Sequence, residues 1–272
     1  MADPLTTLAH GPYGRAYRRL VAAVLAPAYD LLTAEYAYGP WLSALERLAR
    51  EHGLAGHRLL DVGCGTGKSF LPLMQRGFHV TACDISPEMV ALAREKVGTS
   101  VDVHVADMRR LPTFGEFDLV TCIDDAINHL LTSGEVADAL SGMYDNLAPG
   151  GILVFDANTL AAYRQVPDVV VEDEDRLLRW RGGLAELDEP GGEAEVVIDV
   201  FAREGDGRWS RSLSRQRHRH HPIDELCELV EEAGLELAAV LGQRPGAVLD
   251  AELDEELHRK AVFIARRGGR SL

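Results

Sequence analysis

The stretch Leu59-Leu60-Asp61-Val62-Gly63-Cys64-Gly65-Thr66-Gly67 decides the fold. It reads as a buried strand running straight into a glycine-rich turn. An acid, Asp84, follows 17 residues beyond the last glycine. Glycines at alternate positions adopt backbone angles closed to other residues and let a ligand approach the main chain. The helix that such a turn opens presents N-terminal amides, which favour an anionic group. An acid after the next strand accepts hydrogen bonds from a ribose diol. The stretch therefore points to a nucleoside cofactor.

Glycine spacing separates three nucleotide motifs. A phosphate-binding loop requires G-x-x-x-x-G-K-[ST]. Gly67-Lys68-Ser69 matches its tail, but Val62 stands where the first glycine belongs. The dinucleotide fingerprint G-x-G-x-x-G fails at Lys68, where a glycine is needed for close helix–strand packing. What remains is acid-x-G-x-G-x-G, which resembles motif I of the class I S-adenosylmethionine-dependent methyltransferases. The resemblance continues in the family's order. Val80 to Met89 resembles the second strand, its ribose acid and a helix start, with Ser86 as N-cap and Pro87 at the first helical position. Val105-Ala106-Asp107-Met108 resembles the adenine-binding turn, and Phe117 to Ile123 the fourth strand. Leu147 to Phe155, with its Pro149-Gly150-Gly151 turn, resembles the approach to the fifth strand.

The resemblance implies an α/β fold: a Rossmann-like seven-stranded sheet, mostly parallel with the last strand antiparallel. It implies S-adenosylmethionine as cofactor and S-adenosylhomocysteine as product. Carried over residue by residue, Asp61, Gly63, Cys64 and Gly65 serve the methionine end, with Asp61 on its amino group. Asp84 and Ile85 serve the ribose, Asp107 and Met108 the adenine, and Met89 is a further expected cofactor contact. Ile123, Asp124, Asn128 and Trp41 complete the expected cofactor contacts. Asp124-Asp125-Ala126-Ile127-Asn128-His129 resembles the Asp-x-x-Asn-aromatic signature of a bacterial small-molecule branch, with His129 in place of the usual tyrosine. An imidazole there can accept a proton from an amine, hydroxyl or activated carbon. Asp125, four residues earlier, shares its face if the segment is helical. Tyr29 and Trp41 match aromatics of the branch's lid helices, and Tyr29 joins Asp125 and His129 as a catalytic candidate. Tyr38, Asn158, Arg219 and His221 are the expected acceptor contacts; packing or an exposed edge strand remains the plain alternative for each.

Metal ligation finds little support in the sequence. Asp124 or Asp125 with Asp156 and Asn158 resembles the oxygen-rich magnesium site of catechol-type O-methyltransferases, but the matched branch has a metal-free turn at this point. His218 and His220 share one face of a strand and His221 the other, without cysteines or carboxylates at ligand spacing. The expectation is no metal.

Composition agrees. The 272 residues are 46% apolar, enough for one sizeable core. No apolar run reaches the length of a membrane span, and Met1-Ala2-Asp3-Pro4 lacks the pattern of a signal peptide. Cys64, Cys83, Cys122 and Cys227 show no metal spacing and suit a reducing cytoplasm. A net charge of −15 disfavours a nucleic-acid substrate, although arginines from Arg203 to Arg219 and from Arg266 to Arg270 leave a local basic patch open. The acceptor is expected to be a small molecule, with no membrane partner and a monomer or homodimer as the assembly. High Ala, Arg and Gly usage associates with GC-rich bacteria, in which this branch often modifies secondary metabolites. The competing classes are an RNA-modifying methyltransferase and a cofactor-binding sensor without catalysis.

Along the chain, residues 15–52 carry helical patterning at Leu20, Val24, Leu31, Leu42, Leu45 and Leu48. Strands and helices alternate over 57–157, with a helix expected at 67–76. Segments 177–186, 194–204 and 208–220 favour strands separated by Gly-rich turns. A helix after Pro222 and strands at 235–241 and 260–266 complete the pattern. The expected units are an N-terminal helical lid (1–52), a cofactor-binding core (53–164 and 222–272) and an antiparallel β insert (165–221) over the cleft.

Overall fold

A computed structural model describes residues 26, 28–34, 36, 38–164, 168–182, 187 and 189–268. Leu20, Val24, the Met1 to Pro4 stretch, part of the strand expected at 177–186, and Arg270 lie outside the described residues.

The apolar runs form the strands of one eight-stranded sheet: β1 (Arg58–Val62), β2 (His79–Asp84), β3 (Asp102–Val105), β4 (Phe117–Cys122), β5 (Leu147–Asn158), β10 (Leu235–Arg244), β11 (Val248–Asp250) and β12 (Lys260–Arg267). Their order is β11-β10-β12-β5-β4-β1-β2-β3. Strands β1 to β5 pair in parallel, whereas β12 is antiparallel to both β5 and β10. One strand more than expected is present. Strand β10 runs on to Arg244 and turns at Pro245-Gly246-Ala247 into the three-residue edge strand β11. The chain leaves β1 towards β2 on one side and returns at β4 on the other, so the strand order reverses between β1 and β4. Such a reversal opens a crevice at the carboxyl ends of the strands.

Both faces of the sheet are covered. Strand β1 is buried except at its first residue, and successive side chains serve opposite layers. Leu59 packs with Trp41, Leu42 and Leu45 of α1 (Tyr38–Glu51), Leu73 of α2 (Leu71–Gln75) and Val90 of α3 (Pro87–Val97). Leu60 packs on the other face, with Leu140 and Met143 of α4 (Ser133–Asn146) and Leu226 of α6 (Ile223–Glu232). The short α5 (Leu160–Arg164) follows β5. Helix α3 starts as its sequence requires: Ser86 Oγ accepts the Met89 N–H at 3.2 Å, and Pro87 follows as the first residue. The helix expected at 67–76 is shorter, because Gly67 has φ +90°, outside the helical region. The α-helix begins only at Leu71.

A second sheet is an antiparallel meander, β6 (Val169–Glu172), β7 (Arg176–Arg181), β8 (Glu193–Arg203) and β9 (Trp209–Arg219), with β6 beyond the three strands expected. Its arginines pair across strands: Arg181 and Arg211 with Asp199, Arg215 with Glu195, and Arg217 with Glu193. Those arginines are therefore neutralised within the sheet. Leu178, Ile198 and Val200 pack with Met89 of α3 and bring the sheet over the crevice. Among the described residues, no helix is long and apolar enough to cross a membrane.

Strand β1 is tied near its end by Asp61. Its two carboxylate oxygens accept Thr121 Oγ1 of β4 at 2.6 Å and Ser69 Oγ at 2.5 Å. Burial pushes its pKa up to about 6, although both hydroxyls pull it down. The folded protein thus keeps this proton to about pH 6, while the unfolded chain releases it near the usual carboxylate value. Folding then binds more protons than the unfolded state between about pH 4 and pH 6, so this group lowers stability as pH rises through that window. Asp61→Asn removes the effect, and its advantage over wild type in thermal unfolding should grow from pH 4 to pH 6 and then level off. The plateau is on the order of 3 kcal/mol; a difference that does not change with pH would refute the assignment.

Candidate active site

A cavity of about 390 Å³ opens at the carboxyl ends of β1, β2 and β4, with the second sheet above it. Fourteen of the expected residues reach it: Tyr29, Tyr38, Gly63, Cys64, Gly65, Asp84, Ile85, Met89, Asp107, Met108, Ile123, Asp124, Asp125 and His129. They divide into a nucleoside end and a reaction end.

The nucleoside end is built from β1, β2 and β3. Gly63, Gly65 and Gly67 all have positive φ, and at Gly63 a side chain would stand 3.1 Å from Ala126. The bare main chain is therefore the wall of the cavity here. Asp84 accepts Gly65 N–H at 2.9 Å and Ser86 N–H at 2.8 Å, one with each oxygen. A carboxylate has about four lone-pair sites, so it retains acceptor capacity for a diol. Burial nonetheless pushes its pKa up. Asp107 caps the 3₁₀ turn Met108–Arg110 and holds Arg109 in a bidentate pair at 2.6 and 2.9 Å; Arg109 extends to Glu135 at 2.6 Å. Ile85, Met89 and Met108 supply apolar surface between these acids. Flat apolar walls, a diol acceptor and an open main chain suit an adenosine-containing cofactor.

The reaction end follows β4. Asp124 and Asp125 both take the left-handed conformation, at φ 61° and 53°, which non-glycine residues adopt sparingly. Their N–H groups donate to the two oxygens of Asp156 on β5, at 2.9 and 2.6 Å. Lys260, at the start of β12, reaches Asp124 and Asp156 at 3.3 Å and Asp125 at 3.6 Å. Burial alone would lower the Lys260 pKa, but Asp156, Asp124 and Asp125 hold it well above the usual lysine value. Burial raises the Asp125 pKa, opposed by Lys260 and His129. Tyr38 donates to Asp124 and is hydrogen-bonded to Tyr29, the two phenols being held protonated first by burial.

The 3₁₀ turn Ala126–His129 carries His129 into the cavity. Its ring meets that of His218 edge-on, centroids 4.3 Å apart. His218 projects from β9 with Nδ1 3.6 Å from Asp125 Oδ2, and burial lowers its pKa to about 4. Trp180, Gln216 and Arg217 of the second sheet complete this wall.

Six expected contacts lie elsewhere. Trp41 is in the core between α1 and the sheet, 1% exposed. Asp61 is 1% exposed, held by its two hydroxyl partners, and does not line the cavity. Asn128 is fully buried as a cross-link, donating to Arg219 O at 2.8 Å and accepting Asn158 N–H at 2.9 Å; Asn158 is half-buried, with its side chain hydrogen-bonded to Asp125. Arg219 turns to Glu225 at 3.2 Å, and His221 Nε2 bonds Leu130 O at 3.0 Å. At the end of β9, Ser214, Gln216 and His218 are buried while the alternating arginines are half-buried; Arg217 still lines the cavity, whereas Arg219 is drawn away to Glu225. Lys260, Gln216, Arg217, His218, Trp180 and Tyr36 are among the cavity residues that the sequence did not place in the site. Only the even spacing of Gln216 and His218 offered a signal.

The fold and site match known proteins. A family model described as a methyltransferase domain fits residues 59–151. A Bacillus subtilis (strain 168) protein named as a methyltransferase, YqeM, is 31% identical over 223 residues, which cover 79% of this chain and 86% of the relative. A solved S-adenosylmethionine-dependent methyltransferase from Clostridium acetobutylicum ATCC 824 superposes with a TM-score of 0.73 at 20% identity, over 89% of this chain and 97% of that one. CalS10, an amino pentose methyltransferase from Micromonospora echinaspora solved with S-adenosylmethionine bound, has a TM-score of 0.65 at 26% identity, over 88% and 96%. With the glycine turn, the strand-end acid and a relative matched along most of both lengths, this chain belongs to the S-adenosylmethionine-dependent methyltransferases.

Proposed function

We propose that the protein methylates a nitrogen or oxygen atom of a small molecule, a bacterial secondary metabolite being the expected class. One observation carries this reading: a single cavity joins the nucleoside end to the polar group Asp125, His129 and His218, roofed by Trp180 and Arg217. A volume near 390 Å³ under a covering sheet accommodates a small ligand rather than a polymer. The pairing of the β7 and β9 arginines with acids also argues against a nucleic-acid track. CalS10, whose acceptor is an amino pentose, shares the fold at 26% identity and supports an amine or hydroxyl compound.

S-adenosylmethionine supplies an electrophilic methyl group on a sulfonium. The chain's part is to hold the nucleoside by Asp84, Asp107 and the glycine turn, and to close Tyr29 and Tyr38 over the reaction end. Water is excluded by the second sheet, and the acceptor is aligned against Trp180 and Arg217. Disposal of the acceptor's proton falls to the Asp125, His129 and His218 group.

Two measurements test this reading. Calorimetric titration with S-adenosylhomocysteine should show micromolar binding that weakens roughly 100-fold in Asp84→Ala, since two charge-assisted hydrogen bonds are lost. Unaltered binding in a folded variant would remove the nucleoside assignment. With an acceptor found by screening amines and hydroxyl compounds, His129→Ala and Asp125→Asn should lower kcat by roughly 10² to 10⁴. Their S-adenosylhomocysteine affinity should stay within about threefold of wild type, because neither touches the nucleoside end. Cofactor binding without turnover of any acceptor would favour a sensor.

A further inference from the structure

We propose that Asp125, His129 and His218 bind a divalent transition-metal cation at the reaction end of the cavity. One ligand atom from each lies within 4.8 Å of the other two. Asp125 and His129 come from the turn after β4, and His218 from strand β9 of the second sheet. Two imidazoles and a carboxylate suit Zn²⁺ or Co²⁺, whereas Mg²⁺ favours oxygen donors throughout. Three protein donors leave a position open to a ligand, as catalytic ions require.

A second observation is the spacing of two of these donors. His218 is 3% exposed and lines the cavity, and its Nε2 has no partner among the described residues. One imidazole gives one nitrogen to an ion, so with Nδ1 as the ligand this Nε2 carries the ring proton and is left to water or acceptor in the cavity. Its Nδ1 stands 3.6 Å from Asp125 Oδ2, too far for a hydrogen bond. Two atoms each about 2.1 Å from a tetrahedral ion are about 3.4 Å apart, so the gap is that of two ligands sharing an ion. The other carboxylate oxygen, Oδ1, faces Lys260 Nζ at 3.6 Å, so lysine and ion use different atoms.

Charge points the same way. Asp124, Asp125 and Asp156 surround one ammonium, that of Lys260. Three carboxyl groups against one ammonium make an acidic site, which favours a cation. The left-handed turn pinned by Asp156 fixes the Asp125 carboxylate in place, and strain of this kind gathers at functional sites.

The inference rests on the reading that this end of the cavity receives the acceptor, and it departs from the metal-free expectation drawn from the family's turn. A cation there lowers the pKa of a hydroxyl that it touches, and the proton leaves to water. The acceptor is then a hydroxyl compound, since an amine held through its lone pair would lose its nucleophilicity.

The test uses untagged full-length protein, freed of metal with a chelator and titrated calorimetrically with ZnCl₂ and CoCl₂, with and without S-adenosylhomocysteine. One equivalent should bind at micromolar Kd or tighter, and Co²⁺ should develop visible absorption of a low-coordinate nitrogen and oxygen site. His218→Ala and His129→Ala should each weaken the ion at least about tenfold while S-adenosylhomocysteine affinity stays the same. Asp84→Ala should keep the ion as it loses S-adenosylhomocysteine, which separates this site from the cofactor reading. No binding to wild type, or equal binding to His218→Ala, overturns the proposal and leaves His129 and Asp125 as a metal-free proton acceptor. Ion binding in a protein with no affinity for S-adenosylhomocysteine would sustain this site and overturn the cofactor reading alone.

Discussion

The reaction end depends on one buried carboxylate. Asp156 is fully buried in the middle of the sheet, and both its oxygens receive main-chain N–H groups of the turn after β4. That turn contains two successive left-handed aspartates, a conformation the chain does not keep unaided. A buried carboxylate is itself tolerable only with compensation, and Lys260 from the neighbouring strand β12 supplies it. Strands β5 and β12 thus present an acid and a base side by side, and the pair fixes where Asp124, Asp125 and His129 point. Breaking such a buried pair by removing one partner costs about 3–5 kcal/mol, so the geometry of the site and the stability of the sheet are linked.

Topology decides where this turn lies. Reversal of strand order between β1 and β4 puts the glycine turn and the Asp124–His129 turn on the two sides of one crevice. The first side is main chain and acids, which recognise a nucleoside by hydrogen bonding. The second carries aspartates, an ammonium and imidazole, which act on charge and protons. The second sheet closes the crevice, and its arginine–acid ladder keeps its own strongly charged surface internally balanced.

Acidic character therefore has two origins in this molecule. The overall charge of −15 is spread over the surface and bears on solubility. The carboxylates of the crevice are few, largely removed from water and held against Lys260, so they set a local field that salt screens weakly.

Local chemistry was legible in the sequence wherever a constraint acts between near neighbours. The Gly63 to Gly67 turn requires positive φ, the Asp84 acid ends a strand whose next residues cap a helix, and Asp107 caps its own turn; each lies where its sequence context implied. Tertiary structure alone decided the rest. Lys260 lies 136 residues from Asp124 and meets it only because β12 inserts antiparallel beside β5. His218, rather than Arg219 or His221, faces His129 because a strand shows alternate residues to opposite sides, and one step of register exchanges them. Trp41 went to the core because an amphipathic helix presents its large apolar residues to the sheet it covers. Sequence fixes turns and caps because their energies are short-range, whereas the partners of a buried charge or ring are chosen by how strands and sheets come to lie together.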